Sequence, residues 1–149
     1  MSSQKPNSDR SHTIAVLVDN EPGVLARVIG LFAGRGYNIE SLTVSEVDAV
    51  KGYSRITIVT SGTDMVIEQI KALLARLVPV HMVEDLTVQG PCLERELALV
   101  KVVNAGENRI EALRIADMFR ARAIDSTLNS FVFELTGSPK KLNAFIELM

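Results

Sequence analysis

The chain has 149 residues, of which 47% are hydrophobic and 23% charged, so a disordered polar chain is excluded. Its formal net charge of −2 gives no general attraction for phosphate backbones, and we expect no nucleic-acid partner. The single cysteine, Cys92, excludes an intrachain disulfide and a multi-cysteine metal site, which indicates a reducing, cytoplasmic location.

The polar N-terminal segment, residues 1–11, is predicted to be a disordered tail. The first apolar run covers residues 13–18 and is followed by turn-forming residues, so it predicts a buried strand. A run of this length is far shorter than the roughly 20 residues that a membrane-spanning helix requires. We therefore expect no membrane partner.

A helix is predicted next, because apolar residues recur at helical spacing while Arg27 and Arg35 fall away from them. The apolar positions of this helix are Val24, Leu25, Val28, Leu31 and Phe32. Gly36 is suited to end it, since glycine is common just beyond helix C-termini.

Two strands and a second helix are predicted to follow. Residues 39–47 and 53–60 alternate in polarity, and residues 48–52 join them as a hairpin. The second apolar stripe at helical spacing consists of Val66, Ile70, Leu73 and Leu77. Pro79 ends that helix, and residues 81–88 predict a fourth strand.

The order β-α-β-β-α-β predicts an α+β fold of the ferredoxin-like type, a four-stranded antiparallel sheet with both helices on one face. The opposite face carries Ala15, Leu17 and Val59. Bare apolar faces and open sheet edges are surfaces for association. We therefore predict that the bare face or the sheet edge pairs with another copy of the chain, giving a homodimer.

A linker is predicted at residues 89–95, which contain Gly90 and Pro91, and it divides a first domain, residues 12–88, from a second, residues 96–149. After the linker the pattern of the first domain begins again. The second domain is thus predicted to be an incomplete copy of the first.

The elements of this copy are a strand at residues 96–103, a helix, one or two strands within residues 124–137, and a last helix. Ser138 and Pro139 are suited to begin the last helix. The apolar positions of the two helices are Ile110, Leu113, Ala116 and Phe119, followed by Leu142, Phe145 and Ile146.

The turn after the first strand is the candidate binding site. Its residues Asn20, Pro22 and Gly23 enter a helix, whose first turn leaves backbone N–H groups unpaired and positively polarised, so a carboxylate is readily held there. The Asn20 amide can donate to the same carboxylate. Asn38 and Ile39, at the start of the second strand, are predicted to read an ammonium group and an aliphatic side chain at the edge of a paired subunit.

Spacing alone favours a simpler interpretation, in which Asn20, Pro22 and Gly23 only form the turn and Asn38 only begins a strand.

His12 and His81 stand without neighbouring metal ligands or a nucleophile, and we interpret both as ordinary strand-end residues.

Three segments carry a resemblance to a known family. Residues 20–28 (NEPGVLARV) and 35–42 (RGYNIESL) resemble the ACT domain of acetohydroxyacid synthase small subunits, and residues 95–102 (RELALVKV) resemble the start of their C-terminal domain. Compared with that family, this chain stops at Met149 directly after a helical pattern. We therefore expect a truncated second domain whose sheet lacks an edge strand.

The resemblance implies a non-catalytic regulatory subunit of acetolactate synthase, active in valine, leucine and isoleucine biosynthesis. It implies that valine or another branched-chain amino acid binds between two ACT domains, and that the subunit mediates activation and feedback inhibition of the catalytic subunit. The residues mapped to this site are Asn20, Gly23, Val24 and Leu25 of one chain with Asn38 and Ile39 of the other. The resemblance also implies a large catalytic subunit that holds thiamine diphosphate, magnesium and FAD, with no cofactor and no metal bound by this chain.

Alternatives of other classes share the topology. A stand-alone ACT module that regulates a different enzyme, or a transcription regulator, would use the same turn. RNA recognition requires aromatic residues on the sheet, yet Ala15, Arg55 and Ile58 occupy those positions. An acylphosphatase-like enzyme requires a glycine-containing loop that binds phosphate, together with an arginine that points into it. The turn here has a single glycine, Gly23, and carries acidic residues.

Overall fold

The first half of the chain forms one four-stranded sheet with two helices. The computed structural model describes residues 10–103 and 106–149. The elements of this half, in chain order, are β1 (Arg10–Asp19), α1 (Val24–Gly34), β2 (Ser41–Asp48), β3 (Tyr53–Gly62), α2 (Asp64–Ala75) and β4 (Val80–Asp85). All neighbouring strands pair antiparallel in the order β2-β3-β1-β4. The predicted ferredoxin-like arrangement is confirmed.

The core of this unit lies between the sheet and the two helices. Ile14 pairs with Ile58 and Val16 with Ile56, and these four side chains are fully buried on the helix-facing side. The buried core residues are Ile14, Val16, Val18, Val24, Val28, Phe32, Ile56, Ile58, Ile67, Ile70 and Leu74. Each aliphatic side chain of this kind stabilises the fold by about 1.5–3 kcal/mol.

The opposite face of the sheet is less apolar and partly open. Alternation along the strands places Ala15, Leu17 and Val59 on it, as predicted. Leu17 and Val59 are half-buried, and Met82, which pairs with Leu17, is 46% exposed. Pairing of this face with another copy remains a prediction.

Most strand boundaries in this unit differ by one to three residues from those predicted. β1 begins at Arg10 and so includes the last two residues of the predicted tail, and residues 1–9 of that tail lie outside the described residues. β2 begins at Ser41, so Ile39 precedes the strand although Glu40 already donates its amide to the Val59 carbonyl at 2.8 Å. β4 ends at Asp85, because the Asp85 carboxylate accepts the Thr87 amide at 3.0 Å and turns the chain there.

The end of α1 follows the predicted chemistry, whereas α2 ends at Ala75, so Leu77, which was predicted to belong to α2, lies beyond it. Gly36 has φ 69°, and the Tyr37 amide donates to the Phe32 carbonyl at 3.0 Å, which ends α1 in the way a left-handed glycine allows. In α2 the core-facing residues include Ile67 and Leu74, whereas the predicted Val66 and Leu73 are only half-buried.

The second half forms a separate unit, and the chain divides between Cys92 and Leu93. Its elements are β5 (Glu96–Val103), α3 (Arg109–Met118), β6 (Arg122–Ser126), β7 (Ser130–Gly137) and α4 (Pro139–Leu148). The strand order β5-β7-β6 repeats the order β1-β3-β2, so within the described residues the second unit repeats three of the four strands of the first. Phe133 lies at its centre, with ring centroids 5.4 Å from Phe131 and 6.1 Å from Phe145.

The helix faces of the second unit were predicted less well. In α3 the buried residues are Ala112 and Ala116, while Ile110 is 68% exposed. Leu113 is also exposed. The short side chains of Ala112 and Ala116 face the sheet, which allows α3 to pack close to it. In α4, Leu142 and Phe145 are buried as predicted, but Ile146 faces outward.

Within residues 10–103 and 106–149, no helix is both long enough and apolar enough to cross a membrane.

Candidate functional site

The N-terminus of α1 is open to solvent. Gly23 is the N-cap residue with φ 85°, and apart from Gly23 and its two chain neighbours no heavy atom of the described residues lies within 4 Å of the position a Cβ would take. Among the described hydrogen bonds, the amides of Gly23, Leu25 and Ala26 donate to no acceptor, and no side chain caps the helix. These amides are therefore available to an external acceptor.

The charge at this helix end is not neutralised by the helix itself. α2 has Thr63 as a side-chain cap and Asp64 in its first turn, and α3 has Glu111 in its first turn. α1 has neither a side-chain cap nor an acidic residue in its first turn. The partial positive charge of the α1 macrodipole thus favours an anion from outside the helix.

Asn20 lies beside this helix end and is fixed at two points. Its backbone amide donates to the Gly52 carbonyl at 2.7 Å, and its side-chain Nδ2 donates to Glu46 Oε2 at 2.7 Å. Glu46 was not among the predicted site residues. Only the register of β2 on β3, which pairs Glu46 with Ser54 near the hairpin, brings it to this corner.

Two predicted site residues belong partly to the core. Val24 is 5% exposed, and its amide donates to the Glu21 carbonyl at 3.4 Å, so it offers little to a ligand. Ile39 is half-buried and packs against the same core cluster, whereas Leu25 is 38% exposed. Leu25 is therefore the apolar side chain that the α1 end of the site offers.

Asn38 lies at the other end of the sheet. It precedes β2, is exposed, and its carbonyl accepts a hydrogen bond from Thr60 Oγ1 at 2.6 Å. Asn20 is bonded to Gly52, and the stretch of β3 from there to Thr60 spans roughly 25 Å at about 3.3 Å per residue. Within one chain the two predicted halves of the site are therefore apart.

Both histidines have carboxylate partners. His81 Nε2 lies 2.6 Å from Asp19 Oδ1, and His12 Nδ1 lies 2.8 Å from Asp85 Oδ2. His12 is buried, and its Nε2 has no hydrogen-bond partner among the described residues. In the described part of the chain, no three His, Cys, Asp or Glu side chains are grouped as metal ligands would be.

Two family models match the chain. Residues 14–82 match the AHAS small subunit-like ACT domain, and residues 95–149 match the small subunit of acetolactate synthase. The two matches fall on the two structural units.

Similar proteins carry the same description. A probable acetolactate synthase small subunit of Archaeoglobus fulgidus is 48% identical over 138 residues, which are 93% of this chain and 85% of that protein. The acetolactate synthase isozyme 3 small subunit of Escherichia coli is 47% identical over 133 residues, or 89% of this chain and 80% of that protein.

A solved structure agrees with both units. The crystal structure of the acetolactate synthase small subunit from Thermotoga maritima matches with a TM-score of 0.83 and 39% identity, covering 94% of this chain and 86% of that one. Sequence, fold and domain order lead to the same conclusion: the chain belongs to the family of acetolactate synthase small subunits, whose first domain is an ACT domain.

Proposed function

We propose that this chain is a regulatory subunit that binds a branched-chain amino acid, valine, leucine or isoleucine, between two copies of its ACT domain. In this proposal the chain activates a separate catalytic subunit, and the bound amino acid brings about feedback inhibition of that subunit. The observation that carries the proposal is the open, uncapped N-terminus of α1 beside Asn20, at the end of the sheet opposite Asn38.

The edge strand β2 explains how the two halves would meet. In the sheet order of the described residues, one edge of β2 has no neighbouring strand. The β2 residues Val44 and Val47 are about half exposed. A two-fold axis through the middle of β2 pairs the strand antiparallel with its copy, so the start of one β2 lies beside the end of the other. Asn38 of one chain then approaches Asn20 of its partner.

The chemistry of the combined site suits a small zwitterion. The free amides of Gly23, Leu25 and Ala26 hold the carboxylate, as helix N-termini hold anions. The exposed Leu25 side chain, with Ile39 of the neighbouring chain, contacts the aliphatic side chain of the ligand. Asn38 supplies further hydrogen bonds across the interface.

Binding at such an interface turns the ligand into a signal. An amino acid that contacts both chains stabilises the arrangement in which both halves are aligned, and a difference in affinity of about 1–3 kcal/mol between two arrangements suffices for feedback control. This chain needs no covalent step. The proposal assigns thiamine diphosphate, magnesium and FAD to the catalytic partner, no cofactor to this chain, and both proteins to the cytoplasm.

The first test is a calorimetric titration of the purified chain with valine, leucine and isoleucine, with serine and phenylalanine as controls. We expect saturable binding of at least one branched-chain amino acid. The second test adds the chain to a thiamine-dependent acetolactate synthase and measures acetolactate with and without that amino acid. A chain that binds none of the three and leaves acetolactate formation unchanged would contradict the proposal.

The rival proposal, a stand-alone ACT module for another enzyme or a transcription regulator, has less support. A free-standing module has no need of the second unit, whose residues 95–149 match the small-subunit family. A ligand response in the titration without any effect on the synthase would favour this rival.

A further inference from the structure

The Glu46 carboxylate determines the orientation of the Asn20 side chain. Glu46 Oε2 lies 2.7 Å from the Asn20 amide group, and an ionised carboxylate can only accept hydrogen bonds. The Asn20 atom facing Glu46 must therefore be the nitrogen, which leaves Oδ1 on the side turned away from Glu46. Asn20 thus presents an acceptor to the rest of the site.

Asn20 Oδ1 and the charged Glu46 carboxylate are both hydrogen-bond acceptors. They lie beside the N-terminus of α1, whose free backbone amides are donors. An α-ammonium group has three N–H donors and a positive charge, whereas an α-carboxylate only accepts. We infer that Glu46 is the charge partner of the effector's α-ammonium group, with Asn20 Oδ1 as a second acceptor. This inference rests on the proposed function and moves Asn20 from the ligand's carboxylate to its ammonium.

Two of the other carboxylates at this corner are already engaged, while the Glu21 side chain is exposed. Asp19 pairs with His81, and Asp48 accepts the amides of Val50 and Lys51 in the hairpin. Among the ion pairs of the described residues none includes Glu46, so its charge has no cationic partner there. A hydrogen bond from a neutral amide does not neutralise the carboxylate, so Glu46 can still pair with a cationic group of a ligand.

The role of Glu46 is distinct from that of a residue that only supports the hairpin. Glu46→Gln retains an acceptor for Asn20 Nδ2 while it removes the charge. Glu21→Gln is the matched control, since Glu21 is an exposed carboxylate of the same turn whose side chain does not bond to Asn20.

The experiment compares valine with 2-hydroxyisovalerate, which has a hydroxyl in place of the ammonium, by calorimetric titration of each full-length variant. For Glu46→Gln we expect valine affinity to fall roughly 10- to 100-fold, as for a lost hydrogen bond to a charged group, while affinity for the hydroxy acid stays unchanged. The Glu21→Gln control should bind both ligands much like the unmodified chain.

Equal losses for both ligands in Glu46→Gln would assign the residue a purely structural role and overturn the inference. The same follows from an unchanged affinity for valine, or from a valine-specific loss in Glu21→Gln alone. If the unmodified chain binds valine and only these comparisons fail, the proposed function stands. If the unmodified chain binds no branched-chain amino acid, the proposed function fails first.

Discussion

The proposed site requires room for the ligand's carboxylate and the partial positive charge of the α1 N-terminus. Replacing Gly23 by alanine and by aspartate tests these two requirements separately. Gly23 has φ 85° and nothing within 4 Å of an added Cβ, so a substitution meets no packing obstacle but adopts a left-handed backbone. For alanine we expect a loss of about 1–2 kcal/mol in the free energy of unfolding. Aspartate tolerates this conformation better, and Gly23→Asp should lose no more than Gly23→Ala.

The affinity for valine should fall more in Gly23→Asp than in Gly23→Ala, the reverse of the order expected for stability. Gly23→Asp places a carboxylate beside the position of the ligand's own carboxylate. At roughly 4 Å, two like charges repel by about 1 kcal/mol in water and about 4 kcal/mol at an effective dielectric constant near 20. Affinity should therefore fall between about 5-fold and 1000-fold, while Gly23→Ala retains most of it. The loss should shrink at 1 M salt, where the screening length is about 3 Å.

Urea unfolding measures the first effect and calorimetric titration with valine the second. Gly30→Asp is a matched control, because it adds the same charge to α1 away from its N-terminus, where a Cβ also meets nothing within 4 Å. A folded Gly23→Asp variant that binds valine normally would refute the location of the site. Equal losses in Gly23→Ala and Gly23→Asp would refute the electrostatic explanation.

Three further predictions concern other residues. Asp85→Ala removes the acceptor of both the His12 ring and the Thr87 amide, so urea unfolding should show a loss of about 3 kcal/mol, with a smaller loss for Asp85→Asn; equal losses would contradict this. Ser138→Ala removes the N-cap of α4 and should cost about 1 kcal/mol, detected as faster hydrogen exchange at the start of that helix and not in the first unit. Asn38→Ala should weaken valine binding roughly tenfold in calorimetry without loss of stability, and an unchanged affinity would remove Asn38 from the site.

Strands were predicted well because their signal is local. The alternation of Ile14 and Val16 with Ala15 and Leu17 follows from side chains that point to opposite faces, and burial on one face preserves it. Helix faces were predicted less well, since an apolar stripe is broad and packing selects the part that is buried. In α3, for example, Ala112 is buried against the sheet while the larger Ile110 is exposed.

The candidate site was predicted only in part for a similar reason. The turn chemistry of Gly23 can be read from sequence, and its left-handed φ agrees with it. The burial of Val24 depends on how α1 lies against the sheet, which the local pattern does not specify. Glu46 becomes a neighbour of Asn20 only through the pairing of β2 with β3, a contact between residues 26 positions apart.

The separation of Asn20 and Asn38 constrains how regulation by this fold can work. If both residues contact one ligand, the ligand must bridge two chains, since β3 holds them roughly 25 Å apart within each chain. A two-fold axis through β2 then creates two equivalent sites, one at each end of the paired strands, so one amino acid should bind per chain. In this proposed dimer each site draws on both chains, so a change in the pairing of β2 would alter both sites at once. Ligand affinity and quaternary arrangement are thereby linked, and anything that reorients the paired strands, including a catalytic partner, must change the affinity for the amino acid in return.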